Sequence, residues 1–180
     1  MGLEEKIGVG HEADLALHRE IEWQLLRAKE SEEVRSLYLK DIGGTFGISL
    51  DKLLDARGYR KKAPDKYYYL NLPEYIIAAT IIIDDGTTIL AYNQKYAEMF
   101  RKKTLMRTYV NLHEHAHIRG ELSESHTEGL VGDAARAAKE IPAYLLNKAG
   151  EVYKNIYQKA RQIEEYSRYR QLAYGSADSK

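Results

Sequence analysis

The sequence predicts an α+β fold in which a short β-sheet packs on one central helix, with helical extensions at both ends of the chain. Apolar residues recur at helical spacing before residue 60 and again after Asn93, whereas the residues between them favour strands. No internal repeat or low-complexity linker divides the chain. We therefore expect three segments, namely a helical extension over 1–60, a core over 61–146, and a C-terminal helix and tail over 147–180.

Composition restricts the classes of protein that the chain can belong to. Its 180 residues suffice for one domain with a real core. Lysine plus arginine equals aspartate plus glutamate at 27 each, so the formal net charge is zero and nucleic acid is not an expected partner. The chain has no cysteine, which excludes disulfides and thiolate ligands. We find no secretory signal pattern and no apolar run that could cross a membrane, so a cytoplasmic protein is expected.

The first sixty residues are expected to be helical. Residues 11–40 show one apolar stripe, and Ser31 is placed to cap a second helix. Gly43-Gly44 interrupts that pattern, and Ser49 is predicted to cap a third, short helix. Residues 41–56 loosely resemble the turn of a helix-turn-helix, but we expect an ordinary helical hairpin because the neighbouring basic cluster is too small for a DNA site.

The β-favouring region begins after Pro64. Residues 67–70 and 75–83 predict two strands, and residues 88–92 predict a third strand after the turn at Asp84-Asp85-Gly86-Thr87. The last two strands would form a hairpin. Asn93 is then expected to cap a short helix that leads into the central helix.

The central helix carries the motif His113-Glu114-x-x-His117. Residues four apart lie on the same face of a helix, so both imidazoles can point at one metal ion. Glu114 is then placed to take a proton from water at that metal, the general-base role in zinc peptidases. His115 points to another face and is expected to be solvated. Gly120 is expected to end the helix.

A catalytic zinc site needs a third protein ligand. The opening turn of the next predicted helix offers Glu128 and His126. Glu128 also fits a capping box with Ser125, in which its carboxylate would bind a backbone amide instead of a metal. Asp133, one turn further, could orient one of the histidines as a hydrogen-bond acceptor. The residues alone leave these alternatives open.

The motif, Gly120 and a glutamate at the start of the following helix together resemble the gluzincin metallopeptidases, most of all the archaeal minigluzincins. The preceding hairpin and helix are also similar to the ImmA/IrrE-type peptidases. The resemblance covers roughly residues 67–146. It implies that His113, His117 and Glu128 bind zinc and that Glu114 is the general base. For the long helix expected over 148–172 three roles stay open: a packing helix, a dimer contact, or a segment that covers the cleft and keeps the enzyme latent, as in minigluzincins.

The expected function is therefore zinc-dependent hydrolysis of a peptide or protein substrate laid along a strand of the hairpin. Tyr144, Tyr153 and Tyr157 are all available as donors to the oxyanion, and the sequence does not choose among them. The alternative is a non-catalytic, metal-containing regulatory or DNA-associated protein. Against it, a purely structural metal site has no use for Glu114.

Overall fold

The computed structural model describes residues 11–138 and 143–174. The start of the predicted N-terminal extension and the end of the predicted C-terminal tail lie outside these residues. Within them the chain has mixed α+β architecture, as expected. The helices, in order, are α1 (His11–Leu25), α2 (Glu32–Ile42), α3 (Thr45–Ala56), α4 (Ala97–Lys102), α5 (Thr104–Arg119), α6 (Glu124–Ala138) and α7 (Ala143–Tyr174). The strands are β1 (Lys66–Leu70), β2 (Ala78–Ile82) and β3 (Thr88–Asn93).

Local chemistry explains several element boundaries. Ser31 caps α2 as predicted, because its hydroxyl accepts a hydrogen bond from the Val34 amide at 3.3 Å. Asn93 likewise accepts from the Lys95 amide at 3.1 Å and starts the short turn before α4. The predicted cap at Ser49 is wrong: α3 already begins at Thr45, so Ser49 lies inside the helix.

The three strands form one mixed sheet in the order β1-β3-β2. β2 and β3 make the predicted hairpin, with Thr80 opposite Leu90, and Gly86 supplies the positive φ (85°) that its turn requires. β1 pairs with β3 in parallel. β2 is therefore an edge strand of this sheet, and it is the strand that faces α5 most closely.

Helices cover both faces of the sheet. On one face, Val110 and Ile118 of α5 pack with sheet residues such as Leu90 and Tyr92 in a fully buried cluster. On the other face, Ile21 and Leu25 of α1 pack against the opposite side chains of the strands. Burying each large aliphatic side chain contributes about 1.5–3 kcal/mol, so α5 is held firmly beneath the sheet.

A second apolar cluster joins α5 to the helices on its other sides. Leu50 and Leu54 of α3, Leu112 of α5 and Leu130 of α6 are all fully buried in it. Residues predicted as an N-terminal extension thus share their core with the motif helix. None of the helices that the structure describes is long and apolar enough to cross a membrane.

Helix α7 crosses α5 at very short range. A Cβ atom at Gly150 would lie 2.6 Å from the ring of Tyr109, which is closer than side chains approach in proteins. Glycine at this position therefore lets the backbone of α7 rest on the tyrosine ring. The contact brings the neighbouring Tyr153 of α7 over the same face of α5.

Candidate metal centre

Helix α5 presents its motif inside the protein. It ends at Arg119, and Gly120 follows with φ 114°, so the predicted helix end is confirmed. His113, Glu114 and His117 are all buried. The sheet and the neighbouring helices enclose α5 on all sides, so no face of the motif is open to solvent.

Three potential ligand groups converge at the end of α5. The Nε2 atoms of His113 and His117 lie 3.1 Å apart. The carboxylate of Glu124 approaches both, with one oxygen 2.9 Å from His113 Nε2 and the other 3.2 Å from His117 Nε2. Each of the three residues offers one ligand atom, and these atoms all lie within 4.8 Å of one another.

This donor set fits zinc. Zinc in proteins prefers tetrahedral coordination by histidine nitrogen and carboxylate oxygen at about 2.0–2.2 Å, which places neighbouring donors roughly 3.3 Å apart. The separations between the three groups, 2.9–3.2 Å, are only slightly shorter than that spacing. Two imidazoles and one carboxylate also leave a fourth position for water, as in catalytic sites.

A backbone carbonyl holds His117 in the tautomer that metal binding needs. His117 Nδ1 lies 2.6 Å from the carbonyl oxygen of Glu121, and because a carbonyl only accepts, Nδ1 must carry the proton. In the neutral ring, the lone pair then lies on Nε2, facing His113 and Glu124. The Glu121 side chain is itself fixed, since it accepts hydrogen bonds from the Tyr59 hydroxyl and the Ser123 amide.

Opposing effects act on the pKa of His117. Burial lowers it, but the Glu124 carboxylate, the charge of Glu114 and the Glu121 carbonyl together raise it above the ordinary value. Conversely, hydrogen bonds to His113 and His117 outweigh partial burial and hold the pKa of Glu124 well below its usual range. The negative Glu124 carboxylate therefore favours positive charge at this place, and either a protonated imidazole or a bound cation can supply it.

The structure differs from the sequence prediction in the third residue. Glu128, the predicted ligand, is not in the converging group; its carboxylate lies 2.6 Å from Lys154 Nζ on α7. Glu124 and Glu128 lie one turn apart on the same side of α6, and it is the first turn that reaches the histidines. Ser123, not Ser125, caps this helix by accepting from the His126 amide at 3.3 Å, so the first helical residue is Glu124 and it faces the histidines.

The other predicted residues of this region lie elsewhere. His126 is exposed, and its Nδ1 is 3.7 Å from a Glu121 oxygen, so it does not join the histidine pair. Asp133 does not orient either histidine, because it forms ion pairs with Arg57 and Arg136. The Nδ1 atom of His113 is buried and has no hydrogen-bond partner among the described residues.

Glu114 lies beside the histidines but is held by the sheet. Its Oε2 accepts a hydrogen bond from the Thr80 hydroxyl of β2 at 2.8 Å. Only 4 % of Glu114 is exposed. A buried carboxylate is costly unless it is hydrogen-bonded, and Thr80 supplies this bond without occupying the second oxygen.

The expectation that His115 is solvated is wrong. It is buried, with Nδ1 2.6 Å from the Tyr38 hydroxyl and Nε2 2.8 Å from Asp51. Asp51 also pairs with Arg119. Helices α2 and α3 cover the side of α5 that was expected to face water, and this polar network satisfies His115 there.

Among the tyrosines considered for the oxyanion, the structure brings Tyr153 closest to the motif, with its ring centroid 5.5 Å from that of His113. Tyr144 is largely exposed, and the side chain of Tyr157 lies outside the described residues. Tyr109 also lies near His113, and burial, reinforced by Glu128 and Glu124, raises its pKa to about 12. Tyr109 therefore remains a neutral phenol at ordinary pH.

No protein-family model matches the chain, and no significant match is found among curated proteins or solved structures. The likeness to gluzincins therefore stays a prediction from the motif.

Proposed function

We propose that the protein is a zinc-dependent peptidase whose metal is held by His113, His117 and Glu124, with Glu114 as general base. The single observation that carries this proposal is the convergence of two imidazole Nε2 atoms and one carboxylate within 4.8 Å, beside a separate buried glutamate. A structural metal site would not require that additional carboxylate. Glu128, one turn further along α6, is the competing third ligand.

The residues divide the reaction between them. Zinc, when bound, lowers the pKa of a coordinated water to about 7 and polarises the scissile carbonyl. Glu114 accepts the proton from the water oxygen as that oxygen bonds to the carbonyl carbon. It then donates the proton to the amide nitrogen, the C–N bond breaks, and a carboxylic acid and an amine are released. His113 and His117 would bind the metal through Nε2, and the Glu121 carbonyl keeps the proton of His117 on Nδ1.

The outer edge of β2 is suited to an extended peptide. Opposed residues in an antiparallel pair alternate between hydrogen-bonded and non-hydrogen-bonded pairs. The bond from the Asn93 amide to the Ile77 carbonyl, 2.9 Å, sets this phase, so Thr80 and Leu90 form a non-hydrogen-bonded pair. The backbone groups of Thr80 therefore point away from β3. A substrate strand could pair with them directly above α5.

The proposal is tested by comparing wild type with Glu114→Gln. Both proteins are loaded with zinc, their metal content is measured, and cleavage of a mixture of unstructured peptides is followed by mass spectrometry. We expect equal zinc content but a fall in kcat/KM of about 100- to 10,000-fold for the variant, because general-base catalysis contributes that much. Glu98→Gln, an exposed glutamate on α4, is the matched control and should behave as wild type.

Wild type that binds zinc but cleaves no peptide in the mixture would overturn the proposal in favour of a non-catalytic metal protein. Wild type that binds no zinc would overturn both the peptidase proposal and the alternative of a non-catalytic metal protein. Equal cleavage by Glu114→Gln and wild type would remove Glu114 from the mechanism.

A further inference from the structure

Thr80 is linked to the motif helix across a long stretch of sequence. Its Oγ1 lies 2.8 Å from Glu114 Oε2 and 3.3 Å from the Glu114 carbonyl oxygen. A hydroxyl has one proton to donate. The shorter distance identifies the carboxylate as its acceptor, so the hydrogen bond acts on the side chain of the base.

This bond restricts the orientation of a flexible side chain. A glutamate has three rotatable bonds, and the one at its end allows the carboxylate to turn freely. Anchoring Oε2 to Thr80 fixes the plane of the carboxylate and leaves Oε1 available for a proton. The cost of misplacing a catalytic group by about 1 Å can reach 100-fold in rate.

Thr80 also lies where the substrate is proposed to bind. Its backbone N–H and C=O point to the open edge of β2, whereas its side chain points to α5. One residue thus connects the edge that would align the peptide with the carboxylate that would act on it.

We propose that Thr80 is a positioning residue that orients the general base Glu114 through its hydroxyl and keeps the base in register with a peptide bound along β2. The catalytic part of this inference rests on the proposed peptidase function. The contact itself is independent of that function, so the two can be tested apart.

The first test replaces Thr80 with valine, which has the same shape and β-propensity and keeps the backbone groups of the edge. We expect kcat to fall by about 10- to 100-fold while KM and zinc content stay within about twofold, since only the orientation of the base changes. Thr80→Ser keeps the hydroxyl and should recover most of the lost kcat. Equal activity of Thr80→Val and wild type, or a Thr80→Ser variant as impaired as Thr80→Val, would overturn the inference.

Thr88 of β3 provides a matched control. It is fully buried, lies on the strand paired with β2, and its hydroxyl has no hydrogen-bond partner among the described residues. Thr88→Val therefore makes the same chemical change in the same sheet without touching Glu114, and kcat should not change. A comparable loss of kcat in Thr88→Val would mean that the effect comes from the sheet and not from the base.

The second test needs no activity. Urea unfolding of the metal-free wild type, Thr80→Val, Glu114→Ala and the double variant gives the coupling between the two side chains. A hydrogen bond to a charged group predicts a coupling on the order of tenfold in the unfolding equilibrium constant. If the effects of the two substitutions on the free energy of unfolding are additive, the inferred hydrogen bond between Thr80 and Glu114 is overturned. Strong coupling in a wild type that cleaves no peptide would retain the contact, reject the catalytic role proposed for Thr80, and show that it is the peptidase proposal that has failed.

Discussion

Helix α5 carries buried histidines on two faces, and their surroundings differ completely. His115 meets a donor and an acceptor that match its two ring nitrogens, the Tyr38 hydroxyl and the Asp51 carboxylate. His113 and His117 instead place their Nε2 atoms 3.1 Å from each other. A neutral imidazole gains nothing from facing the lone pair of another imidazole, unless a proton or a cation lies between them.

The contrast teaches that burial alone does not separate a structural histidine from a ligand. All three rings are at most 7 % exposed. What separates them is the arrangement of their partners. The two nitrogens of His115 meet one donor and one acceptor, whereas the Nε2 atoms of His113 and His117 face each other and share one carboxylate. The partners of His115 leave no place for an ion, whereas the two Nε2 atoms and Glu124 form a possible ligand set for one.

The largest expected effect comes from removing one ring of the pair. His117→Ala deletes a ligand, so zinc affinity should fall by about 1,000-fold or more. His115→Leu should leave zinc affinity unchanged but lower the free energy of unfolding by about 1–3 kcal/mol, because it leaves the buried Tyr38 hydroxyl without its acceptor. Competition with a chromophoric chelator measures the affinities, and urea unfolding of the metal-free proteins measures the stabilities.

If His117→Ala and His115→Leu lose zinc affinity equally, the distinction between a ligand histidine and a structural histidine on α5 is wrong. His115→Gln, which keeps some polar contacts, is the milder companion and should lie between wild type and His115→Leu in stability.

The next effect concerns the third ligand. Glu124→Gln removes the charge nearest both imidazoles, and we expect zinc affinity to fall about 100-fold. Glu128→Gln loses only its pairing with Lys154, which should change zinc affinity by less than about threefold. The reverse order of the two affinities would restore Glu128, the residue that the sequence predicts, and displace Glu124.

The smallest effect is a dependence of stability on pH. Folding of the metal-free protein raises the pKa of His117 above 6.5. The contribution of His117 to the free energy of unfolding is therefore complete below about pH 6.5 and is lost as pH rises through the folded pKa. Folding lowers the pKa of Glu124 below 4.5. Its contribution to the free energy of unfolding is therefore present above about pH 4.5 and is lost as pH falls through the folded pKa.

Metal-free protein should therefore be most stable between about pH 4.5 and 6.5, and thermal unfolding across this range measures it. Zinc needs neutral imidazoles, so zinc-loaded protein should gain stability as pH rises above 6.5. His117→Ala should flatten the alkaline side of the metal-free profile. An unchanged profile in that variant would contradict the assignment to His117.

Sequence predicts local features of this protein well because their causes are local. The caps at Ser31 and Asn93 and the helix end at Gly120 follow from side-chain and backbone chemistry within a few residues. The hairpin follows from alternating strands around a glycine turn. The same short range suffices for the spacing of His113 and His117, because a single helix determines it.

Features that depend on long-range packing were missed. The sequence offers Ser125 with a capping box to Glu128, but Ser123 caps α6, and only packing against α5 shows that the first-turn Glu124 reaches the histidines. His115 looks like a surface residue because its partners lie 64 and 77 residues away along the chain. The bond from Thr80 to Glu114 spans 34 residues and has no sequence pattern of its own.

Of the three converging side chains, only Glu124 reaches the outside, with 72 % of it exposed, while both rings are enclosed. A metal ion could therefore enter and leave past the exposed Glu124 carboxylate without unfolding of the chain. Chelators should strip the centre from intact protein within an ordinary dialysis, and the emptied chain should refill on return of the metal. Under the proposed function, the supply of free zinc, and not the act of folding, would then decide how much of the protein is active.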